Sequence, residues 1–101
     1  MPAYLIVTAN IHDMEPFRNE YGQAAGALTA QFGGQYRLMA GGAQMLEGEG
    51  WDNASMVISE WPDKETALRF WNSDEYQEVK KLREGRADVQ VMLIEAPSLC
   101  G

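Results

Sequence analysis

Cysteine and histidine are almost missing from this chain, which has one of each among its 101 residues. The single cysteine, Cys100, cannot form a disulfide within the chain, so stability does not require an oxidising compartment. We expect Cys100 to be incidental, because residues so near the end of a sequence are usually frayed. One cysteine and one histidine do not make a zinc site. The sequence therefore predicts neither a metal nor any other cofactor.

Positively charged residues are also few. The chain has 8 lysine and arginine residues against 15 acidic ones, which gives a net charge of −7. Proteins that bind nucleic acid need a basic surface that displaces counterions from phosphates. The basic residues that do cluster are Lys80, Lys81, Arg83 and Arg86. They have acidic neighbours and are typical of a solvated helix end. We therefore expect no nucleic acid and no anionic membrane among the partners.

Long apolar runs and common catalytic motifs are also absent. No apolar run approaches the length of about 18 residues that a membrane span needs. Residues 1–7 lack the basic and apolar regions of a signal peptide, so we expect a cytoplasmic protein with no membrane partner. A nucleophile elbow, a phosphate-binding loop and a C-x-x-C motif are all missing, and the glycines between residues 41 and 50 do not form a dinucleotide fingerprint.

The composition is otherwise that of a folded domain. Hydrophobic residues make up 46% of the chain and charged residues 23%, close to the average for globular proteins. A length of 101 residues leaves room for one domain, 1–101, with one core. The segments rich in β-branched and aromatic residues, which are typical of strands, are residues 4–11, 35–46, 55–61 and 87–96.

Two helical segments lie between these strands. Apolar residues recur three and four positions apart from Phe17 to Phe32, after a potential cap at Asp13. Asp63 can begin the second helix, which breaks near residue 72, and Ser73 can cap its continuation. The order β-α-β-β-α-β predicts an α+β domain of the ferredoxin-like type. Its antiparallel sheet would have four strands, with both helices on one face.

Both faces of the predicted sheet are apolar. In the first strand Tyr4 and Ile6 alternate with Leu5 and Val7. Helices on one side leave the other face open, and an exposed apolar face is a liability in water. The sequence therefore predicts a homodimer in which two sheets pack face to face.

Several short stretches, in this order and spacing, resemble a known family. They are A-Y-L-I-V at 3–7, F-G-G-Q-Y at 32–36, L-E-G at 46–48, E-W-P at 60–62, W-N-S-D-E-Y-Q at 71–77 followed by Leu82-Arg83, and V-M-L-I-E at 91–95. Together they resemble the domain-of-unknown-function family 1330, within the dimeric α+β barrel superfamily. The resemblance extends over nearly the whole chain.

This resemblance implies a homodimer of ferredoxin-like subunits whose sheets form a barrel. Superfamily relatives include cofactor-independent monooxygenases, muconolactone isomerases and haem-degrading enzymes, whereas the nearest family has no generally established activity. Relatives often carry an arginine on the second strand, just before the paired glycines. Here Met39 holds that position, and Arg37 lies two residues earlier on the same side. An anion bound by the family's arginine would be bound differently here, or not at all.

Two residues are candidates for acid–base catalysis. His12 follows the first strand, and its reference pKa lies near neutrality; the alternative is a surface or capping role. Glu60 ends the third strand and shares a face with Met56 and Ile58, where burial would raise its pKa. The alternative for Glu60 is a strand-end carboxylate in water or paired with an arginine.

Candidate ligand-binding residues lie on the second helical segment. Tyr76 and Arg83 are two helical turns apart and share a face. With Trp71 at the helix break, they could hold a planar or carboxylate-bearing ligand. The alternative is that Trp71 and Tyr76 anchor the helix to the sheet while Arg83 caps it. We predict one cleft bordered by Arg37, Glu60, Trp71, Tyr76 and Arg83, with His12 near its mouth.

The function that the sequence favours is a homodimer that binds a small organic molecule, and one form of this hypothesis is a cofactor-independent enzyme. The alternative is a non-catalytic association module whose apolar face serves only to dimerise. A concave, partly apolar site with convergent polar groups would distinguish the two.

Overall fold

The computed structural model describes residues 1–97 and confirms the predicted α+β fold. The elements in chain order are β1 (Ala3–Ile11), α1 (Met14–Pro16), a π-helical segment (Phe17–Gly22), α2 (Gln23–Gln31), β2 (Gln35–Ala40), β3 (Ser55–Trp61), α3 (Lys64–Trp71), α4 (Asp74–Lys80), a short 3-10 helix (Lys81–Arg83) and β4 (Ala87–Glu95). Cys100 lies outside the described residues. Along residues 1–97 no helix is long and apolar enough to cross a bilayer.

The four strands form one antiparallel sheet in the order β2-β3-β1-β4, which is the ferredoxin-like arrangement. In the centre of the sheet, Leu5 of β1 lies opposite Ser59 of β3 and Leu93 of β4. Side chains alternate between the two faces along a strand. Leu5 and its partners therefore point towards the helices, whereas Tyr4 and Ile6 point away from them.

The helices cover one face of the sheet and enclose the core. Leu5 and Trp61 from the sheet pack there with Leu28, Phe70 and Tyr76 from the helices. Trp61 is only 1% exposed, and its ring centre lies 4.7 Å from that of Phe70. Full burial of a large apolar side chain contributes about 1.5–3 kcal/mol. These contacts fix the helix layer on the sheet.

The end of α2 requires glycine for two reasons. Gly33 has a φ of +97°, a left-handed conformation that glycine adopts without a steric penalty. A Cβ atom at Gly34 would lie 2.7 Å from the ring of Trp61. The chain can therefore turn closely around Trp61 into β2 only because both positions lack a side chain.

The two parts of the second helix have the side-chain caps that the sequence predicts. Asp63 Oδ1 accepts a hydrogen bond from the Thr66 N–H at 2.7 Å, and Ser73 Oγ accepts one from the Tyr76 N–H at 3.0 Å. The bonds from Thr66 hold the pKa of Asp63 below its ordinary value. At Asp13 the predicted side-chain cap does not form.

The second strand is shorter than the sequence predicts. β2 ends at Ala40 and does not continue to residue 46, and residues 41–54 have no regular secondary structure. Gly42 and Gly48 have φ values of +77° and +101°, which a continuing strand cannot accommodate. Asn10 Nδ2 donates a hydrogen bond to the Gly50 carbonyl at 2.8 Å and ties this loop to the end of β1.

The face of the sheet away from the helices, called here the open sheet face, is apolar. Ile6 lies at its centre, opposite Ile58 of β3 and Met92 of β4. Met92 is 62% exposed and Ile94 is 52% exposed. The structure thus confirms that both faces of the sheet carry apolar side chains.

Candidate functional site

A cavity of about 510 Å³ lies between the sheet and the helix layer. Its sheet side is formed by Leu5, Val7 and Ala9 of β1, with Val57 of β3 and Val91 of β4. These residues are small or branched, and their side chains point towards the helices. The volume and the apolar lining are those of a typical small-molecule site.

The π-helical segment forms much of the opposite wall. Phe17, Arg18, Tyr21 and Gly22 all belong to this segment and all line the cavity. The Gln23 N–H bonds to the carbonyl of Arg18, five residues earlier. π-helical turns are rare and are frequently found at functional sites.

Two tyrosines meet in this wall. The hydroxyl oxygens of Tyr21 and Tyr76 lie 2.8 Å apart, within hydrogen-bond distance, and both residues line the cavity. We call them the phenol pair. Burial, and after it the proximity of Tyr76, raises the pKa of Tyr21 far above its ordinary value. Tyr21 is therefore a neutral hydroxyl group that can donate a hydrogen bond.

Aromatic rings surround the phenol pair. The ring centre of Phe17 lies 5.1 Å from that of Tyr21, and the ring centres of Phe70 and Trp71 lie 4.6 Å and 5.2 Å from that of Tyr76. Such separations are those of favourable aromatic contacts. The two hydroxyl groups of the phenol pair are thus polar groups surrounded by aromatic rings.

The break between α3 and α4 sets the position of Tyr76. Ser73 Oγ accepts from the Tyr76 N–H and donates to the Phe70 carbonyl at 2.8 Å, while Gln77 Nε2 donates to the Trp71 carbonyl at 2.7 Å. These bonds satisfy carbonyls at the end of α3 and restart the helix in a new direction. Trp71 and Tyr76 consequently face the same cavity from consecutive helices.

Arg83 contacts the phenol pair from outside the cavity. Its guanidinium carbon Cζ is 5.5 Å from the centre of the Tyr21 ring, a cation–π contact. Its Nε is buried and has no hydrogen-bond partner within residues 1–97. Arg83 does not line the main cavity. It borders a second, open depression of about 500 Å³ together with Trp51, Lys80 and Asp88.

The structure does not bring the predicted site residues into a single cleft within one subunit. Trp71 and Tyr76 line the cavity. Arg37 Nε and Glu60 Oε1 form an ion pair at 2.9 Å on the open sheet face. Glu60 alternates along β3 with Trp61, which packs among the helices. The sheet therefore separates Glu60 from the cavity and from Arg83.

His12 also lies outside the cavity. Its Nε2 is 3.1 Å from Asp88 Oδ2, and both side chains are largely exposed, at 55% and 74%. The surface role considered from the sequence matches this position. Among the described residues, no group of three or more histidine, cysteine and carboxylate side chains is placed to hold a metal ion.

The sequence analysis missed Tyr21 as a site residue. Tyr21 belongs to the apolar stripe that predicts the first helix, and a tyrosine in such a stripe is usually part of a core. Its pairing with Tyr76 joins residues 55 positions apart. The only available signal was the tyrosine hydroxyl itself, which needs a partner when it is buried.

Comparison with known sequences gives one family. Residues 2–97 match the family described as "Domain of unknown function (DUF1330)". No curated protein matches the chain.

Comparison with solved structures gives the same fold. A protein of unknown function from Rhodopseudomonas palustris is 19% identical with a TM-score of 0.77; the match covers 96% of this chain and 83% of that one. A dimeric ferredoxin-like protein of unknown function from Bacteroides fragilis is 20% identical, with a TM-score of 0.61 and coverage of 94% and 96%. SnoaB, a cofactor-independent oxygenase from Streptomyces nogalater, is 15% identical, with a TM-score of 0.58 and coverage of 96% and 94%. At these identities the similarity establishes the fold alone.

Proposed function

The chain belongs to the DUF1330 family of domains of unknown function, and we propose that it binds a small, largely apolar organic molecule between its sheet and its helices. The observation that carries this proposal is the cavity of about 510 Å³. Well-packed cores contain few voids larger than a water molecule. A cavity of this size between the sheet and the helices, lined mainly by apolar side chains and partly open to solvent, is therefore better explained by a ligand than by packing alone.

The lining residues support an aromatic or alicyclic ligand. The sheet side offers aliphatic side chains, and the helix side offers the rings of Phe17, Tyr21, Trp71 and Tyr76. Flat apolar molecules pack well against such walls. Of the residues that the sequence singled out, we retain Trp71 and Tyr76 as ligand-binding residues, and we assign Arg83 a supporting position behind Tyr21.

Gly22 offers a direct test of binding. It lines the cavity with an ordinary helical φ of −59°, and a Cβ atom there would meet only the Phe17 carbonyl, at 3.6 Å. Gly22→Leu should therefore place an apolar side chain within the cavity wall, where it takes up space that a ligand needs, without straining the backbone. The probe is N-phenylnaphthylamine, an uncharged dye that becomes fluorescent when it leaves water.

We expect the wild-type protein to bind this dye and Gly22→Leu to lose most of that binding. Ala27→Leu is the matched control, because Ala27 lies exposed on the adjoining helix and does not line the cavity. Equal binding by all three proteins would contradict the proposal. The melting temperature of each protein shows that the comparison is made between folded chains.

We also propose that the protein is a homodimer whose subunits join their open sheet faces into an α+β barrel. The exposed apolar side chains of Leu38, Met92 and Ile94 support this arrangement. So does the dimeric ferredoxin-like relative from Bacteroides fragilis. The alternative function, an association module without a ligand, depends on this face alone and gives the cavity no role.

A more specific form of the proposal is that the protein is an enzyme that converts the bound molecule without a cofactor. It is supported by the similarity of fold to SnoaB and by the phenol pair, whose hydroxyl groups can exchange a proton with a bound molecule. It is tested by native mass spectrometry of the protein with a ligand recovered from cells. An enzyme would return that ligand chemically changed, whereas a binding protein would return it intact.

A further inference from the structure

The phenol pair has one donor hydrogen more than it uses. Two phenol groups carry two hydroxyl hydrogens, and the 2.8 Å contact between Tyr21 and Tyr76 uses one of them. Whichever tyrosine donates, the other keeps a hydrogen. Within residues 1–97 no further acceptor lies within hydrogen-bond distance of either hydroxyl oxygen. The pair can therefore donate one hydrogen bond to a bound molecule.

The neighbouring hydroxyl of Thr29 is already committed. Thr29 Oγ1 donates to the Ala25 carbonyl at 2.7 Å and lies 3.5 Å from the Tyr36 hydroxyl. Ser59, on the sheet side of the cavity, accepts the Trp61 indole N–H with its Oγ at 2.9 Å and keeps its own hydrogen there. The unused hydrogen of the phenol pair differs from these groups because aromatic rings surround it. An oxygen atom attached to an aromatic ligand is well placed to receive it.

The charges around the cavity favour an uncharged ligand. Arg83 lies against the ring of Tyr21 and does not line the cavity. Arg18 lines it from an exposed position, and the chain as a whole carries a net charge of −7. A buried carboxylate without a paired cation is costly. An uncharged acceptor such as a ketone avoids this cost.

We propose that the phenol pair recognises an uncharged carbonyl oxygen on a flat, apolar ligand. This inference rests on the proposed function, because it names the chemical class that the same cavity selects. The tyrosine that accepts the hydrogen bond within the pair donates its own hydrogen to the carbonyl oxygen, and the surrounding rings pack against the ligand's flat face. Arg83 contacts the Tyr21 ring but does not line the cavity, so it does not touch the ligand in this arrangement.

Three related dyes test this inference. The first is Prodan, a dimethylaminonaphthalene that carries an uncharged propionyl ketone. The second is the same molecule with a propyl group in place of the propionyl group, which keeps the shape and loses the acceptor. The third carries a carboxylate at that position. Fluorescence titration gives the dissociation constant of each dye for the wild-type protein and for its variants.

We expect the wild-type protein to bind the ketone roughly three- to tenfold more tightly than the propyl compound, the effect of one net hydrogen bond, and to bind the carboxylate least tightly. The double variant Tyr21→Phe, Tyr76→Phe should bind the ketone no better than the propyl compound. It should still bind the propyl compound as the wild type does. Removing both partners of a hydrogen bond together leaves no unsatisfied group, so this variant should fold.

Tyr36→Phe is the matched control, because Tyr36 also lines the cavity but contributes no hydroxyl to the pair. This variant should keep the preference for the ketone. A wild-type protein that binds ketone and propyl compound equally, or a double variant that keeps the preference, would overturn the inference and leave the proposed function standing. Tightest binding of the carboxylate would overturn it too. Failure of all three dyes to bind would contradict the proposed function itself.

Discussion

At the scale of single residues, the phenol pair is the feature on which the site depends. Tyr76 was predicted as a ligand-binding residue from its position on the second helix, and it lies only 3% exposed at the cavity wall. Tyr21 could not be predicted, because its partner lies in a distant helix. For Glu60, the sequence predicted the position in the chain but not the surroundings. Its place at a strand end was clear from the sequence, but its face relative to the helices required the packing of Trp61.

The pH dependence of stability should reveal the state of Tyr21. In the unfolded chain the pKa of the Tyr21 phenol is near its ordinary value of 10.0, whereas burial in the folded protein raises this pKa well above that value. The contribution of this protonated phenol to the free energy of unfolding is therefore complete below pH 10.0. It is lost as the pH rises further, because the unfolded state then releases the proton more readily than the folded state. Chemical unfolding at several alkaline pH values should show a steep decline for the wild-type protein.

Tyr21→Phe should flatten that alkaline decline. It should also be less stable near neutral pH, because Tyr76 loses its partner at a cost of about 1–3 kcal/mol. Tyr36→Phe, at an exposed position, should keep the wild-type decline. If Tyr21→Phe loses stability as steeply as the wild type above pH 10.0, the assignment of a buried, protonated phenol is wrong.

At the scale of secondary-structure elements, capping residues and glycines predicted most of the boundaries. Ser55–Trp61 was predicted to the residue, and the break before Ser73 forms as expected. The π-helical segment Phe17–Gly22 was not predicted, because its residues also fit an ordinary helix. Only packing against the sheet decides which of the two hydrogen-bond patterns forms. The loop after Ala40 was missed because the apolar pattern continues past the glycines.

The cap at Ser73 should contribute measurably to stability. Ser73→Ala removes the acceptor for the Tyr76 N–H and should cost about 0.5–2 kcal/mol, measured by urea unfolding. It should also weaken dye binding, since Tyr76 loses its fixed position. Ser73→Asp keeps an acceptor and should remain close to the wild type in both measurements. Identical unfolding of Ser73→Ala and the wild type would show that the break is held by other contacts.

At the scale of the whole molecule, two apolar surfaces remain unfilled in one subunit: the cavity and the open sheet face. The sequence predicted the second surface from the alternation in β1, because a strand's pattern is visible without its neighbours. The cavity could not be predicted in this way. Its volume depends on how far the helix layer stands from Val7 and Val57, which is a property of the assembled fold.

Assembly should depend on the open sheet face. At concentrations on the order of micromolar, the wild-type protein should sediment as a dimer, because this protein concentration exceeds the dissociation constant of a typical stable interface. Met92→Glu puts a charge on this face and should shift the protein to a monomer. Leu46→Glu changes a residue that is 91% exposed in the loop after β2 and should leave the dimer intact. A wild-type protein that sediments as a monomer would refute the assembly.

The most direct test of the central claim is a crystal structure of the protein grown with N-phenylnaphthylamine. The account predicts electron density for the dye between the sheet and the helices, with its rings against Phe17 and Trp71 and the sheet residue Val57 on the other side. It also predicts that Gly22→Leu, crystallised in the same way, shows no dye there. Dye density on the open sheet face alone, or side chains of the wild-type protein filling the cavity, would contradict the claim.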